Sequence, residues 1–116
     1  DVAIYKFSTP QAVSEGQTRQ IVVEVNNTRY PETVEVQLFK STVNGWVWFG
    51  SLVQNVPVRP ASRTTAFKFR YTFTSEDAAL GTMNFRALAI IIDARDALPL
   101  NNEAISLPTK VFPKSK

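Results

Sequence analysis

The residue types that could do chemistry in this chain are carboxylates, amides and tryptophans, because the sequence has no His and no Cys. That composition excludes imidazole bases, thiolate nucleophiles and the usual ligands of zinc, copper and haem iron. Glu76 and Asp77 are adjacent acids, but neighbours on one helical turn do not converge across a cleft as the paired acids of a glycosidase must. We therefore expect a non-enzyme with no catalytic site, no resident metal and no cofactor.

Oxygen-bearing side chains cluster in one predicted loop near the C-terminal end. They are Asp93, Asp96, Asn101, Asn102 and Glu103. Calcium prefers such hard oxygen ligands, and loops at the ends of β-sandwiches can bind it. The spacing matches no recognised calcium loop, however, and Asp and Asn are also the residues that turns require. We favour the turn role, and the sequence leaves open whether the loop at 93–103 binds calcium.

Two tryptophans lie in the aromatic run from Trp46 to Phe49. On an extended strand, Trp46 and Trp48 share one face, and Val47 and Phe49 share the other. Exposed rings of this kind could stack on sugars or on the apolar surface of a partner. We favour a packing role, in which one Trp fills the end of the sandwich and the other covers an edge strand.

A second apolar cluster is predicted outside the core. If Phe85, Ala87, Ala89 and Ile91 point inward, then Leu88 and Ile90 point outward, toward the side where Phe39 of a neighbouring strand is expected. A contiguous patch of Phe39, Leu88 and Ile90 would favour a protein partner, a neighbouring domain or a dimer mate. The alternative is that the Trp46–Trp48 hairpin folds over the patch and covers it.

Charge and hydropathy exclude two further classes of partner. The formal net charge is only +3, with Lys and Arg scattered among acids over most of the 116 residues, so we expect no nucleic-acid binding. No apolar run approaches the roughly 20 residues that span a bilayer, so we expect no membrane insertion. The chain begins at Asp1 without a Met, which we interpret as a mature form or an excerpt of a longer protein.

Period-two alternation recurs along the sequence and predicts about seven strands. Their ranges are 2–7, 18–26, 33–40, 46–49, 65–74, 83–92 and 104–112. Asn44-Gly45 is a hairpin turn signal, Gly50 is expected to end the fourth strand, and residues 51–58 are expected to be irregularly extended. One short helical turn is predicted at 75–81, between the fifth and sixth strands, with Thr74 or Ser75 as its cap and Gly81 as its end.

These strands and turns predict an all-β fold, an immunoglobulin-like antiparallel β-sandwich that forms a single domain over residues 1–116. The inward residues of the clearest strand are Phe67, Phe69, Tyr71 and Phe73, and they alternate with the polar residues Lys68, Arg70 and Thr72. One side of this strand is therefore expected to be core and the other to be solvated.

Several short motifs make the chain resemble the bacterial cell-adhesion-related (CARDB) domains, which are immunoglobulin- or fibronectin-like modules. The chain opens with Asp1-Val2-Ala3-Ile4 before Pro10 and Gly16, and the second strand ends in Val25-Asn26-Asn27. The third strand reads Val34 to Phe39 with a Leu-Phe ending, and Ile92-Asp93 is followed by Leu98 and Asn101-Asn102-Glu103. The family commonly has acids before the paired Asn, where this chain has Pro99-Leu100, so the resemblance gives no support for an inherited metal-binding role.

The resemblance implies a secreted or surface-exposed bacterial module, extracellular or periplasmic, with a structural or adhesive role. Its partners would be neighbouring domains of a larger surface protein or another surface macromolecule, with a weak homodimer as a further option. The candidate interaction residues are Phe39, Leu88, Ile90, Trp46 and Trp48. The alternative function is a carbohydrate-binding accessory module that uses Trp46 and Trp48 as a stacking platform.

Overall fold

Two antiparallel β-sheets face each other around a shared core in the computed structural model of the chain, which describes residues 2–27, 31–60, 63–92 and 101–114. The elements in chain order are β1 (Val2–Ser8), β2 (Ala12–Ser14), β3 (Thr18–Asn27), β4 (Glu32–Thr42), β5 (Gly45–Val56), β6 (Thr65–Thr72), α1 (Ser75–Leu80), β7 (Thr82–Met83), β8 (Phe85–Ile91), β9 (Asn101–Ile105) and β10 (Thr109–Phe112).

The larger sheet has the strand order β5-β4-β8-β9, and the sheet opposite has the order β1-β3-β6. A third, small sheet has the order β2-β10-β7, in which β10 runs parallel to β2 and antiparallel to β7. Its residues Val13, Met83 and Val111 are buried in the same core as those of the two larger sheets. The predicted immunoglobulin-like β-sandwich is confirmed by this arrangement.

Strict alternation along the central strands builds the core. Ile21, Val23 and Val25 of β3 are fully buried, and between them lie residues that are only partly buried. The aromatic residues of β6 continue this layer, and the Tyr71 and Phe73 rings meet Phe85 of β8 edge-on, with ring centroids 5.6 and 6.1 Å apart. The inward faces predicted from the sequence for these strands are confirmed.

Helix α1 is short, and side chains at its first turn hold it in place. Thr74 is the N-cap residue: its hydroxyl accepts from the Asp77 backbone N–H at 3.1 Å, and Asp77 Oδ2 accepts in return from the Thr74 N–H at 3.0 Å. This reciprocal pair satisfies two backbone donors that a helix start leaves free. Gly81 follows the helix with φ of +84°, a conformation that favours glycine.

The structure differs from the predicted strand list in four places. The described residues form ten strands rather than seven, because β2 and β7 are very short and the last predicted strand is divided. That division falls at Pro108, which has no N–H to donate, and the chain leaves the larger sheet after β9 to join the small one as β10. Gly50 does not end the fourth predicted strand, since β5 continues through it to Val56.

The central burial of Phe67 makes it a sharp test of this core. Phe67 is fully buried between the sheets, so we expect Phe67→Ala to lower the free energy of unfolding by about 3–5 kcal/mol through lost apolar contact and the cavity left behind. Urea denaturation followed by tryptophan fluorescence measures the change.

Phe112→Ala is the matched control, because Phe112 is 52% exposed, and it should change the free energy of unfolding by only about 0.5 kcal/mol. Equal losses in the two variants would contradict the burial described for β6.

Candidate interaction surface

All five candidate interaction residues project from the side of the larger sheet that faces away from the core, called here the outer face. Register places Trp48 opposite Phe39, which in turn lies opposite Arg86. The next strand adds Ile105 opposite Arg86, so these four side chains form one row across the sheet. Trp46 lies beyond this row, opposite Ser41.

Two further rows run below the first. Leu88 lies between Gln37 and Glu103, and Ile90 lies between Glu35 and Asn101. The edge strand β5 completes these rows, with Ser51 opposite Gln37 and Val53 opposite Glu35. Leu88 and Ile90 therefore share the outer face with Phe39, but polar neighbours flank each of them along its row.

The tryptophans are the accessible part of the candidate set. Trp46 and Trp48 are 40% and 55% exposed, so neither fills the end of the sandwich, while Phe39, Leu88 and Ile90 are only partly exposed. The hairpin that carries the tryptophans continues the sheet, since pairing between β4 and β5 runs from Glu32–Val56 to Thr42–Gly45. It extends the outer face rather than folding over it.

A bulge in β5 sets which side chains reach the outer face. Leu38 pairs with Gly50 and Phe39 with Trp48, which leaves Phe49 as an additional residue. Phe49 points into the core, where its ring lies 4.8 Å from that of Tyr71. The extra residue reverses the alternation, so that Val53 as well as Trp48 faces outward.

Two exposed apolar residues belong to this surface although sequence analysis did not select them. Val53 is 53% exposed and Ile105 is 58% exposed. The position of Val53 depends on the bulge, and that of Ile105 on the pairing between β8 and β9. In the sequence, Val53 and Ile105 are apolar residues within segments that do not alternate regularly. Such a pattern does not predict which face of the sheet a side chain lies on.

The charges of the first row neutralise each other. The guanidinium of Arg86 lies over the Phe39 ring, 5.3 Å from its centroid, and its Nε forms an ion pair with Glu103. The cation thus covers part of an apolar ring and is itself paired with an acid. The first row offers apolar side chains beside a compensated charge, rather than a strong field of one sign.

A buried polar cluster ties the outer-face hairpin to the rest of the molecule. Lys40 of β4 donates to the Tyr71 hydroxyl at 2.8 Å and to Asp77 Oδ1 at 3.4 Å. Tyr71 donates in turn to Asp77 Oδ2 at 2.5 Å. Burial and the neighbouring Asp77 carboxylate raise the pKa of Tyr71 well above its usual value, because both disfavour the phenolate. This cluster joins both sheets and α1 just below the Trp46 end of the hairpin.

In the loop at 93–103, for which the sequence leaves calcium binding open, the described residues have structural contacts. Asp93 and Asp96 lie outside the described residues. Asn102 Oδ1 accepts from the Ile4 backbone N–H at 2.8 Å, and Glu103 pairs with Arg86. Within residues 2–27, 31–60, 63–92 and 101–114, no three His, Cys, Asp or Glu side chains gather as a metal site would require. Nor is any helix in those ranges long and apolar enough to cross a bilayer.

Comparison with solved structures supports the fold. The chain is similar to the CARDB domain of a Pyrococcus furiosus protein that was crystallised in complex with di-metal ions: the TM-score is 0.71, the identity is 14%, and the match covers 98% of this chain and 94% of that one. The fold of the chain is thus that of a CARDB-like, immunoglobulin-like module. The resemblance inferred from the sequence motifs is confirmed at this level.

Two other structures are similar at lower scores. The sporulation control protein Spo0M from Bacillus subtilis matches with a TM-score of 0.49 and 13% identity, over 100% of this chain and 49% of that one. Murine CRIg matches with a TM-score of 0.48 and 10% identity, over 95% and 98% of the two chains. No family model and no curated protein sequence matches the chain.

The raised pKa of Tyr71 makes the polar cluster testable by pH. An unfolded tyrosine loses its proton near pH 10, whereas the buried Tyr71 keeps it. The unfolded state therefore binds fewer protons above pH 10, and the contribution of the buried phenol to stability is present below that pH and lost as pH rises. We expect Tyr71→Phe to weaken the fall in the free energy of unfolding above pH 10, measured by urea denaturation across pH 7 to 11.

Tyr5→Phe is the matched control, since Tyr5 is 59% exposed and lies on β1, and it should keep the wild-type pH dependence. A Tyr71→Phe protein that loses stability with the same slope as wild type would show that Tyr71 is not protected in this way.

Proposed function

We propose that the chain is a non-catalytic protein-binding module of a larger secreted or surface protein, and that it engages its partner through the outer face of the β5-β4-β8-β9 sheet. The observation that carries this proposal is the exposure of Trp48, Val53 and Ile105 on one rigid sheet face, at 55%, 53% and 58%. Large exposed apolar side chains gathered on one face mark interaction sites more often than scattered ones do.

The chemistry of the outer face favours a protein partner. Aromatic residues and Arg are enriched where proteins meet, and the first row of the face has Trp48, Phe39 and Arg86 next to one another. Because Glu103 already compensates Arg86, a partner can cover this row without burying an unpaired charge. Aliphatic residues extend the surface to both edges of the sheet, which suits the broad apolar contact of a protein interface.

The side chains of the described residues that could act as acids, bases or nucleophiles favour binding over catalysis. The sequence has no His or Cys to act as a base or nucleophile. Asp77 is committed to Tyr71, Lys40 and the helix cap, and Glu103 is committed to Arg86. An acid held in such contacts is a structural element, not a group free to exchange protons with a substrate.

The proposed setting of the module is the cell surface, in an adhesive or spacing role, next to other domains of the same protein or a surface macromolecule. Support comes from the CARDB-like fold and from the sequence motifs that resemble bacterial CARDB domains. A rigid sandwich presents a face whose backbone does not need to order on binding, and this lowers the entropic cost of association.

A carbohydrate-binding role is the second candidate, and the exposure of both tryptophans favours it. Trp46 and Trp48 share a face two residues apart, which is about 6.6 Å along a strand. Rings at this spacing could stack on consecutive sugars. Titration with cello-, xylo- and chito-oligosaccharides, followed by tryptophan fluorescence, tests this role directly: a saturable shift in emission supports it, and an unchanged spectrum removes it.

Site-specific photo-crosslinking tests the protein-binding role. With a photo-reactive phenylalanine analogue in place of Trp48, we expect covalent adducts with a protein other than a second copy of the chain when the module is incubated with the surface fraction of its own cells. The reason is that Trp48 lies in the first row of the outer face and is 55% exposed. Mass spectrometry of the adducts is the measurement.

The same analogue at Tyr5 is the control, since Tyr5 is equally exposed but lies on the opposite sheet. The double variant with Ile105→Ser should also reduce the adducts formed at position 48, by removing an apolar contact from the same row. Adducts that form equally at positions 5 and 48 would contradict a binding role for the outer face.

A further inference from the structure

The edge strands of the two larger sheets differ in how they are protected against pairing with another chain. An edge strand exposes unpaired N–H and C=O groups, and natural proteins usually protect it with charged side chains. Lys6 lies in β1, Lys68 and Arg70 in β6, and Glu103 in β9. Strand β5 is also an edge, yet its twelve residues include no charged residue and no proline.

The second half of β5 is the regular part of this edge. The bulge at Phe49 disturbs the first half, but residues 50–56 pair one to one with β4. Within the described residues, β4 is the only strand that pairs with β5 through a main-chain ladder. Side-chain hydrogen bonds also reach β5 from the opposite sheet, since the Val56 carbonyl accepts from Asn27 and Gln54 donates to the Ala66 carbonyl. Leu52 is 36% exposed and Val53 is 53% exposed, so apolar side chains lie on both sides of an open main-chain edge.

We propose that residues 50–56 of β5 form a self-association site, which pairs antiparallel with the same segment of a second copy of the chain. Two four-stranded sheets would then join into one continuous sheet of eight strands. With a two-fold axis at Val53, paired residues differ by an even number of positions. Outward side chains therefore pair with outward ones, and inward side chains with inward ones. In that register Val53 meets the partner's Val53, and Leu52 meets the partner's Gln54.

The charges nearby suit a second copy. The paired segments contain no charges, so no like charges meet across the new ladder. The nearest charge on the outer face is Glu35, which lies on β4 opposite Val53. The two Glu35 side chains would be three strand spacings apart, about 14 Å, which exceeds the Debye length at ordinary ionic strength.

The size of the contact sets the strength of the dimer. Seven paired residues extend about 23 Å, and a ladder of that length buries less than the roughly 1,200 Å² typical of stable complexes. The dimer is therefore weak and concentration-dependent. It places two outer faces side by side on the same sheet, so a partner with repeated sites would be bound with higher avidity.

A charge exchange at the two-fold axis tests the proposal. Sedimentation velocity over about 10 µM to 1 mM covers the affinities expected of a small interface. The wild-type chain should show a monomer–dimer equilibrium, while Val53→Lys and Val53→Glu should each be monomeric, because like charges meet at the axis. An equimolar mixture of the two variants should form dimers again, since opposite charges then face each other.

Two further variants distinguish pairing through β5 from dimers formed through a different surface. Circular dichroism and thermal denaturation of Val53→Lys and Val53→Glu keep the test valid, because a variant that folds like the wild type is monomeric through lost pairing and not through lost structure. Tyr5→Lys, on the edge of the other sheet, should dimerise like wild type. Ile105→Ser should also dimerise like wild type, although it weakens the partner contact proposed above, so the two proposals can fail independently.

A wild-type chain that stays monomeric up to the highest concentration would overturn the proposal. So would a mixture of Val53→Lys and Val53→Glu that fails to form dimers, or a dimer that Ile105→Ser disrupts, since the latter would be a contact between outer faces.

Discussion

The burial of alternate residues on β4 is the constraint on which the interaction surface depends. Val34, Val36 and Leu38 are fully buried between the sheets. A slip of one residue would exchange these side chains for Glu35, Gln37 and Phe39, placing a carboxylate and an amide in the core. Because that exchange is so unfavourable, the register of β4 is fixed, and every strand paired to it receives a fixed orientation as well.

Strand β5 pairs with β4 in this fixed register, but the register shifts at the Phe49 bulge. Pairing with β4 places Trp46 and Trp48 on the outer face, and the bulge directs Phe49 into the aromatic cluster of Tyr71 and Phe85. The partly buried Phe49 anchors the hairpin at its bulge, and the contacts of Lys40 with Tyr71 and Asp77 anchor it near its turn. The tryptophans can remain exposed because their neighbours hold the strand in place.

The parts of this fold that the sequence predicts are those governed by a long, unbroken period. The alternation in β3, β6 and β8 identifies their inward faces, since each has three or more apolar residues at even spacing. The bulge at Phe49 leaves no such signal: Trp46 to Phe49 is aromatic or apolar on both faces, and Gly50 resembles a strand end. The outward positions of Val53 and Ile105 follow from long-range pairing, which no local pattern determines. The sequence therefore indicated the centre of the candidate surface and the two tryptophans of β5, but missed Val53 and Ile105.

The centre and the edges of the outer face are protected to different degrees. In the centre, Arg86 covers Phe39 and pairs with Glu103, and polar residues flank Leu88 and Ile90. At the β5 edge, Trp48 and Val53 have polar neighbours on β4 or along β5. Strand β5 itself has no charged side chain that could shield them. An exposed apolar edge favours aggregation unless something covers it. That this strand differs from β1, β6 and β9 in lacking charge is consistent with an edge that another chain covers, and the short regular segment beyond the bulge limits how far such pairing can extend.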